Sequence, residues 1–293
     1  LISDVNTCVT LSGGLDSSIV TAVASKQKKI DTFSIVFKNK KFDERKHISK
    51  ISRTFKTNHH EIEINNYSLE DVISIIEKFD LPILDSSIIP SYILFNNLKK
   101  NNYKVALGGD GGDEVFGGYN HYKFFNKIND WKKKYFNFNI NFLSSIFNNI
   151  DNHNFKGSQY LNFLLNSEDI YKIPFFIKKK IRKKILNNKY FLDVDLLKSN
   201  NKNLDIVKQS QYLDLNYTLS QSLLSKLDRC SMLNSVESRS PFLSKEIIEF
   251  SFSKLNKFDL ISNNDQKIFL KKIGKKYLPD DFVYDRKQGF SFP

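Results

Sequence analysis

Cysteine is nearly absent. Cys8 and Cys230 are the only two in 293 residues, too few for a disulfide framework or a cysteine-rich zinc site. The histidines, His47, His59, His60, His121 and His153, have no HExxH-type spacing, which argues against zinc chemistry. Glycine and proline together fill only 17 positions, which excludes a collagen-like or linker-rich chain. No apolar run approaches the roughly 18 residues of a membrane span, so no membrane partner is expected. The opening LISDVNTCVTL has no initiator Met and no basic stretch leading into an apolar one. It reads as the middle of a larger cytoplasmic protein without a secretory signal.

Acidic residues are also in deficit, 32 against 45 lysines and arginines, for a net charge of +13. Such an excess first suggests nucleic acid. However, Asn occurs 31 times, Lys, Ile and Phe are frequent, and Ala, Gly and Arg are scarce. That is the bias of an AT-rich coding sequence. The densest basic run, Lys178 to Lys184, sits in a polar, helix-like segment without the interleaved aromatics of a nucleic-acid stripe. No nucleic-acid partner is expected.

What is present is a chain that is 40% hydrophobic and long enough to bury a core. In the first third, strand-like runs (Thr7 to Leu11, Asp31 to Phe37, His60 to Ile64, Tyr103 to Leu107) alternate with helical spacing (Ser17 to Ser25, Asp43 to Phe55, Leu69 to Phe79, Ile88 to Leu98). This alternation predicts right-handed βαβ units and a parallel sheet covered by helices on both faces. Residues 1–119 are therefore read as an α/β unit. Residues 120–225 are read as a helical region (Tyr160 to Leu165 and Tyr212 to Leu224 are examples), with Asn137 to Asn154 unassigned. Residues 226–293 form a third, motif-dense region.

Two loops carry the chemistry. The first strand ends in Leu11-Ser12-Gly13-Gly14-Leu15-Asp16-Ser17-Ser18. Glycines there let backbone N–H groups approach an anion, Ser12, Ser17 and Ser18 add hydroxyls, and the helix N-terminus favours negative charge. Asp16 would repel a phosphate unless it holds a divalent cation. The loop is neither a Walker A sequence nor GxGxxG. The last strand of the unit runs into Gly108-Gly109-Asp110-Gly111-Gly112-Asp113-Glu114-Val115-Phe116-Gly117-Gly118, with six glycines and three carboxylates in 11 residues. Both loops lie at strand carboxyl ends, where open parallel sheets bind ligands, so Asp16 and Asp113 are expected to share Mg²⁺.

The first loop resembles the SGGxDS pyrophosphate loop of the N-type ATP pyrophosphatases. SGGLDSS followed by GGDGGDEVFGGY resembles the synthetase domain of the glutamine-dependent asparagine synthetases. Asp228-Arg229-Cys230-Ser231-Met232, Glu237 to Leu243, and Arg286-Lys287-Gln288-Gly289-Phe290 are similar to further blocks of that family, as are Asn58 to Glu61 and Asp85-Ser86-Ser87 with Pro90 and Tyr92. The resemblance spans nearly the whole chain and is weakest between about Tyr122 and Asp205. It implies a PP-loop α/β fold with a helical addition. The implied reaction joins aspartate and ammonia at the expense of ATP, through an acyl-adenylate, giving asparagine, AMP and pyrophosphate. By similarity Leu11, Ile35, Gly108 and Gly109 hold adenosine, and Asp16 and Asp113 hold Mg²⁺. Lys267, in a helix-like stretch from Asp265 to Ile273, would contact the phosphates, and Asp110 would serve acyl-adenylate formation. Arg239 and Lys287 are candidates for carboxylate or phosphate contacts, with an ion-pair role as the alternative for Arg239. An N-terminal glutaminase domain is the implied partner in the full-length protein, and a homodimer is a candidate assembly.

Departures from the family pattern leave alternatives open. Asp-Glu-Pro is here Asp80-Leu81-Pro82, and PFLD is Pro241-Phe242-Leu243-Ser244, which loses an aspartate with an expected structural role. Neither Cys8 nor Cys230 stands at a chain start, where the glutaminase nucleophile belongs. The alternatives are the same chemistry on another carboxylate (a sugar acid, a peptide or a cyclising β-amino acid), or a catalytically silent nucleotide-binding domain.

Overall fold

A computed structural model describes residues 1–39, 43–64, 68–80, 85–135 and 204–284. The unassigned segment Asn137 to Asn154, the Tyr160 to Leu165 helix, the Lys178 to Lys184 run, Leu81-Pro82 and the Arg286 to Phe290 block with Lys287 lie outside them.

Five parallel strands form one sheet in the order β3-β2-β1-β4-β5. β1 is Thr7–Thr10, β2 Asp31–Phe37, β3 Asn58–Ile64, β4 Val105–Leu107 and β5 Glu237–Arg239. Between them run α1 (Leu15–Gln27), α2 (Arg45–Thr54), α3 (Leu69–Ile76) and α4 (Ile88–Lys100). The alternation read from sequence is the alternation of the fold. Successive strand side chains point to opposite faces, and two apolar clusters result. Val9, Val36 and Leu107 belong to one, with α1 and α2 residues such as Ile19 and Ile48. Cys8, Phe33, Ile35, Phe37 and Ala106 belong to the other, with Ile93, Phe95 and Leu98 of α4. With both faces covered, the sheet takes the near-continuous apolar strands typical of buried parallel sheets.

The sequence pattern marks no fifth strand. Glu237–Arg239 is short, polar and at the sheet edge, so it lacks the apolar run that marks the others. Its place is set by backbone pairing instead, with Val105 opposite Glu237 and Leu107 opposite Arg239. The sheet therefore draws on residues both before 119 and after 226.

Behind the second loop lies a short helix, α5 (Gly112–Phe116), followed by α6 (Asn120–Tyr135). Chain from the last third holds α5 in place. Gln211 donates to the Glu114 and Val115 carbonyls at 2.9 and 2.7 Å, and Ser251 Oγ donates to the Val115 carbonyl at 2.6 Å. Lys208, buried one turn before Gln211, donates to the Ser251 carbonyl and lies 4.9 Å from the Phe252 ring centre. Burial pulls its ammonium down to about 8, against the attraction of Asp205 and Asp259. Between that value and the ordinary lysine range the unfolded chain binds the extra proton, so this residue makes stability rise with pH there. Lys208→Met is expected to flatten the rise in unfolding free energy between pH 8 and roughly pH 10, measured by urea denaturation of both proteins. Parallel pH profiles would contradict it.

The helix at Ile206–Leu213 continues as a π-helical stretch, Asp214–Leu223, and then as an α-helix, Leu224–Met232. The chain then enters β5, a 3₁₀ turn at Pro241–Leu243 and helices at Lys245–Lys254, Lys257–Leu260 and Ile268–Tyr277. Ser244, where the family pattern has Asp, caps the Lys245–Lys254 helix by accepting from the Ile247 N–H at 3.4 Å. A hydroxyl serves at an N-cap about as well as a carboxylate, so the expected structural loss does not arise.

Candidate active site

The turn after β1 and the turn after β4 meet at the carboxyl edge of the sheet. Gly13, at φ 74°, makes a turn few side chains could adopt, and a Cβ there would come within 3.0 Å of His47 and the Ile48 N–H. Ser12 and Ser17 tie the turn together, their hydroxyls 2.9 Å apart, and Ser17 Oγ also accepts from the Ser12 N–H at 3.2 Å. This leaves Asp16 in the first turn of α1. The second turn packs directly on it: a Cβ on Gly109 would lie 2.8 Å from the Ser17 N–H, and one on Gly112 2.6 Å from the Asp16 carboxyl carbon. Only glycine lets the two loops approach this closely.

Lys267 joins the two acids. Its Nζ lies 2.5 and 2.7 Å from the two Asp16 oxygens and 2.8 Å from Asp113 Oδ1. The residue is not inside a helix, as its sequence context suggested. It immediately precedes Ile268–Tyr277 in the left-handed region, φ 52°. That helix packs against α1, where Gly274 faces Leu15, so the fold carries the lysine to the head of α1. Burial alone would lower the Lys267 ammonium, but Asp16 and Asp113 outweigh it and hold the group above the ordinary lysine range.

These residues line a cavity of about 800 Å³. Leu11, Ser12, Gly14, Asp16, Ser17, Ile35, Gly109, Asp110, Asp113 and Lys267 all reach its wall. Phe33, Ile35, Leu94 and Phe95, all of one core cluster, add apolar side chains to its wall. Burial raises the Asp110 carboxyl. Burial also pushes Glu114 up to about 7, against the hydrogen bond it accepts from Tyr119 at 2.6 Å.

Four other residues expected at the site take different positions. Gly13 is not on the wall, because it packs against α2. Ser18 is turned into the buried side of α1. Gly108 is spent on the sheet, its N–H donating to the Arg239 carbonyl at 2.9 Å. Arg239 points away from the cavity toward Glu237 (2.6 Å) and the Ile2 carbonyl (2.8 Å), since β5 ends the sheet. Among the cavity residues for which the sequence suggests no role are Lys226, on the Leu224–Met232 helix, and Asp85, just before α4. Asp85 belonged to a noted motif, but nothing in its spacing places it opposite a lysine 141 positions later.

The wall's charge bears on metal binding. Among the described residues it carries seven carboxylates (Asp16, Glu44, Asp85, Asp110, Asp113, Glu114 and Asp265) and four lysines (Lys123, Lys226, Lys267 and Lys271). A polyphosphate would be repelled from such a wall without an added cation. Among the described residues no group of three or more His, Cys, Asp or Glu forms a metal site. Two converging carboxylates are nevertheless the usual protein share of a Mg²⁺ site completed by phosphate oxygens and water. Asp16 and Asp113, which already close on one cation, fit that requirement.

A parallel sheet with a Ser/Gly turn and an acid pair at its carboxyl edge defines an α/β unit of the PP-loop type. More particularly, the sequence profile of the asparagine synthase family matches residues 1–293, and the chain belongs to that family. It is 28% identical over 313 aligned positions to asparagine synthetase [glutamine-hydrolyzing] 1 of Bacillus subtilis, covering 99% of this chain and 47% of that protein. A putative asparagine synthetase 2 of Methanocaldococcus jannaschii is 40% identical over 121 residues, covering 40% of this chain and 23% of its own. Asparagine synthetase B of Escherichia coli is 32% identical over 138 residues, 41% of this chain and 24% of its own. The chain thus spans about half the length of the first of these relatives and of asparagine synthetase [glutamine-hydrolyzing] 3 of Bacillus subtilis, 47% and 45%. Among the described residues no helix is long and apolar enough to cross a membrane.

Proposed function

We propose that this chain is the ATP-dependent synthetase part of a glutamine-dependent asparagine synthetase, a carbon–nitrogen ligase. Aspartate and ATP would form a β-aspartyl-adenylate and pyrophosphate, and ammonia would then displace AMP to give asparagine. The observation that carries this reading is the meeting of Asp16, Asp113 and Lys267 on one cavity wall, each from a different segment of the chain.

In the first step a carboxylate oxygen bonds to the α-phosphorus as the bond to pyrophosphate breaks, and negative charge gathers on the departing oxygens. Lys267 is placed to neutralise that charge, with the backbone of the Ser12–Ser17 turn behind it. Mg²⁺, held by Asp16 and Asp113, would supply the remaining neutralisation when bound. Asp110 lines the same cavity, and the family resemblance gives it a part in acyl-adenylate formation. In the second step ammonia bonds to the acyl carbon, the bond to AMP breaks, and a proton leaves nitrogen.

Ammonia would come from a glutaminase domain in the full-length protein, as the names of the relatives suggest. This chain does not itself hold that nucleophile. Cys8 and Cys230 are both buried, and burial raises the Cys8 thiol and pushes Cys230 up to about 12.

The test is pyrophosphate release from ATP with ammonium chloride and a panel of carboxylates. Release is expected with aspartate, and to fall at least a hundredfold in Asp16→Ala. No release with aspartate, or release with a sugar acid or peptide alone, would overturn the reading.

A further inference from the structure

The cavity holds a second ion pair, partly buried and remote in sequence from the first. Lys226 is 8% exposed, and its Nζ lies 2.7 Å from Asp85 Oδ2 and 2.6 Å from Ser87 Oγ. The Ser87 hydroxyl and N–H donate in turn to Asp85 Oδ1 at 2.7 and 2.9 Å, so the carboxylate is fixed in orientation. Two of the three ammonium protons are thereby directed, and one is left for a ligand. Asp85 is the more open partner, 31% exposed against 10% for the lysine side chain. Leu223 and Leu227 flank the lysine on the cavity wall. A partly buried ion pair in such surroundings seldom stabilises a fold more than apolar packing would. A use in ligand binding accounts for it better.

We propose that Asp85 and Lys226 form the subsite for the zwitterionic end of an α-amino-acid substrate, Lys226 taking the α-carboxylate and Asp85 the α-ammonium. The inference rests on the proposed function and narrows its substrate class. Lys226 and Asp110 line the same cavity, and the lysine draws the Asp110 carboxylate toward the charged form, so the pair shares the wall with the acid that the resemblance links to acyl-adenylate formation. Of the other lysines on the wall, Lys267 is held by Asp16 and Asp113 and Lys271 by Asp265, and Lys123 acts on that same Asp265 carboxylate. A pair with no net charge offers little to a plain carboxylate, which Asp85 would repel. It offers two matched contacts to a group carrying both signs. A sugar acid lacks the ammonium and cannot use it.

The test compares aspartate with two truncated acids, β-alanine, which lacks the α-carboxylate, and succinate, which lacks the α-ammonium. Pyrophosphate release by the full-length protein is measured with ammonium chloride as nitrogen source. In Lys226→Met, kcat/KM for aspartate is expected to fall about a hundredfold, while that for β-alanine changes less than about threefold. Asp85→Asn is expected to do the same to aspartate and to spare succinate. The loss should appear mainly in KM for aspartate, with KM for ATP within about threefold, and Lys226→Arg should recover much of it. Equal losses on the whole and truncated acids would show a structural role and overturn the subsite. So would an unchanged KM for aspartate. If the wild-type protein releases no pyrophosphate with aspartate but does so with another carboxylate, the functional reading fails, and this subsite with it.

Discussion

Replacing Lys267 with methionine is expected to reduce pyrophosphate release about a thousandfold, the scale seen when one preorganised charge-stabilising group is removed. It should also expose what the lysine does at rest. Its ammonium holds Asp16 and Asp113 together at 2.5 to 2.8 Å, and its side chain is 12% exposed. Removing one member of a buried ionic group costs about 3–5 kcal/mol when the remaining charges are stranded. Both aspartates keep some contact with water, so the loss here should fall below that range. The melting temperature should drop by several degrees and recover in part with millimolar Mg²⁺, while the wild-type protein responds little. A variant that keeps its activity, or that loses stability without any response to Mg²⁺, would contradict the assignment of the two acids to one cation.

The second large effect is expected at Gly109. An alanine there would put its Cβ 2.8 Å from the Ser17 N–H and 2.9 Å from Asp16 Cβ. Backbone cannot swing aside as a side-chain tip can, so the two loops must separate. Overpacking of this kind costs about 1–3 kcal/mol, and the displacement falls where the reaction needs Asp16 and Asp113 in register. Gly109→Ala is therefore expected to lose at least a hundredfold in activity, a 1 Å misplacement at a reacting centre being enough. Gly14→Ala is the control for stability. Gly14 has an ordinary φ of −77°, and its added Cβ would meet only Ser12 Oγ at 3.4 Å. Its urea midpoint should stay near wild type while that of Gly109→Ala falls. Equal midpoints would mean that the loops are not packed as tightly as the glycines require.

The parts of the molecule legible in the sequence were those written in local pattern. β2 is an apolar run whose ends coincide with the observed Asp31–Phe37, and the loops after β1 and β4 announce themselves by glycines against buried strands. The parts that were not legible depend on pairing across long separations. β5 is held by the backbone of β4, not by its own residues, and Arg239 turns outward because β5 ends the sheet. Lys267 lies one residue ahead of its helix, a distinction that rests on a positive φ with no glycine to signal it. Lys226 is one lysine in a lysine-rich chain until α4 and the Leu224–Met232 helix pack together and set it against Asp85. The +13 charge pointed outward, toward surface composition, whereas the cavity wall carries more carboxylates than lysines.

The central claim is that a carboxylate oxygen of the substrate attacks the α-phosphorus of ATP in the cavity shared by Asp16, Asp113 and Lys267. It is tested most directly by turnover of aspartate labelled with ¹⁸O in its β-carboxylate, with ATP and ammonia, followed by mass spectrometry of the nucleotide and phosphate products. An acyl-adenylate route leaves one labelled oxygen in AMP. Label in orthophosphate with ADP as the nucleotide product, or AMP formed without label, would contradict it.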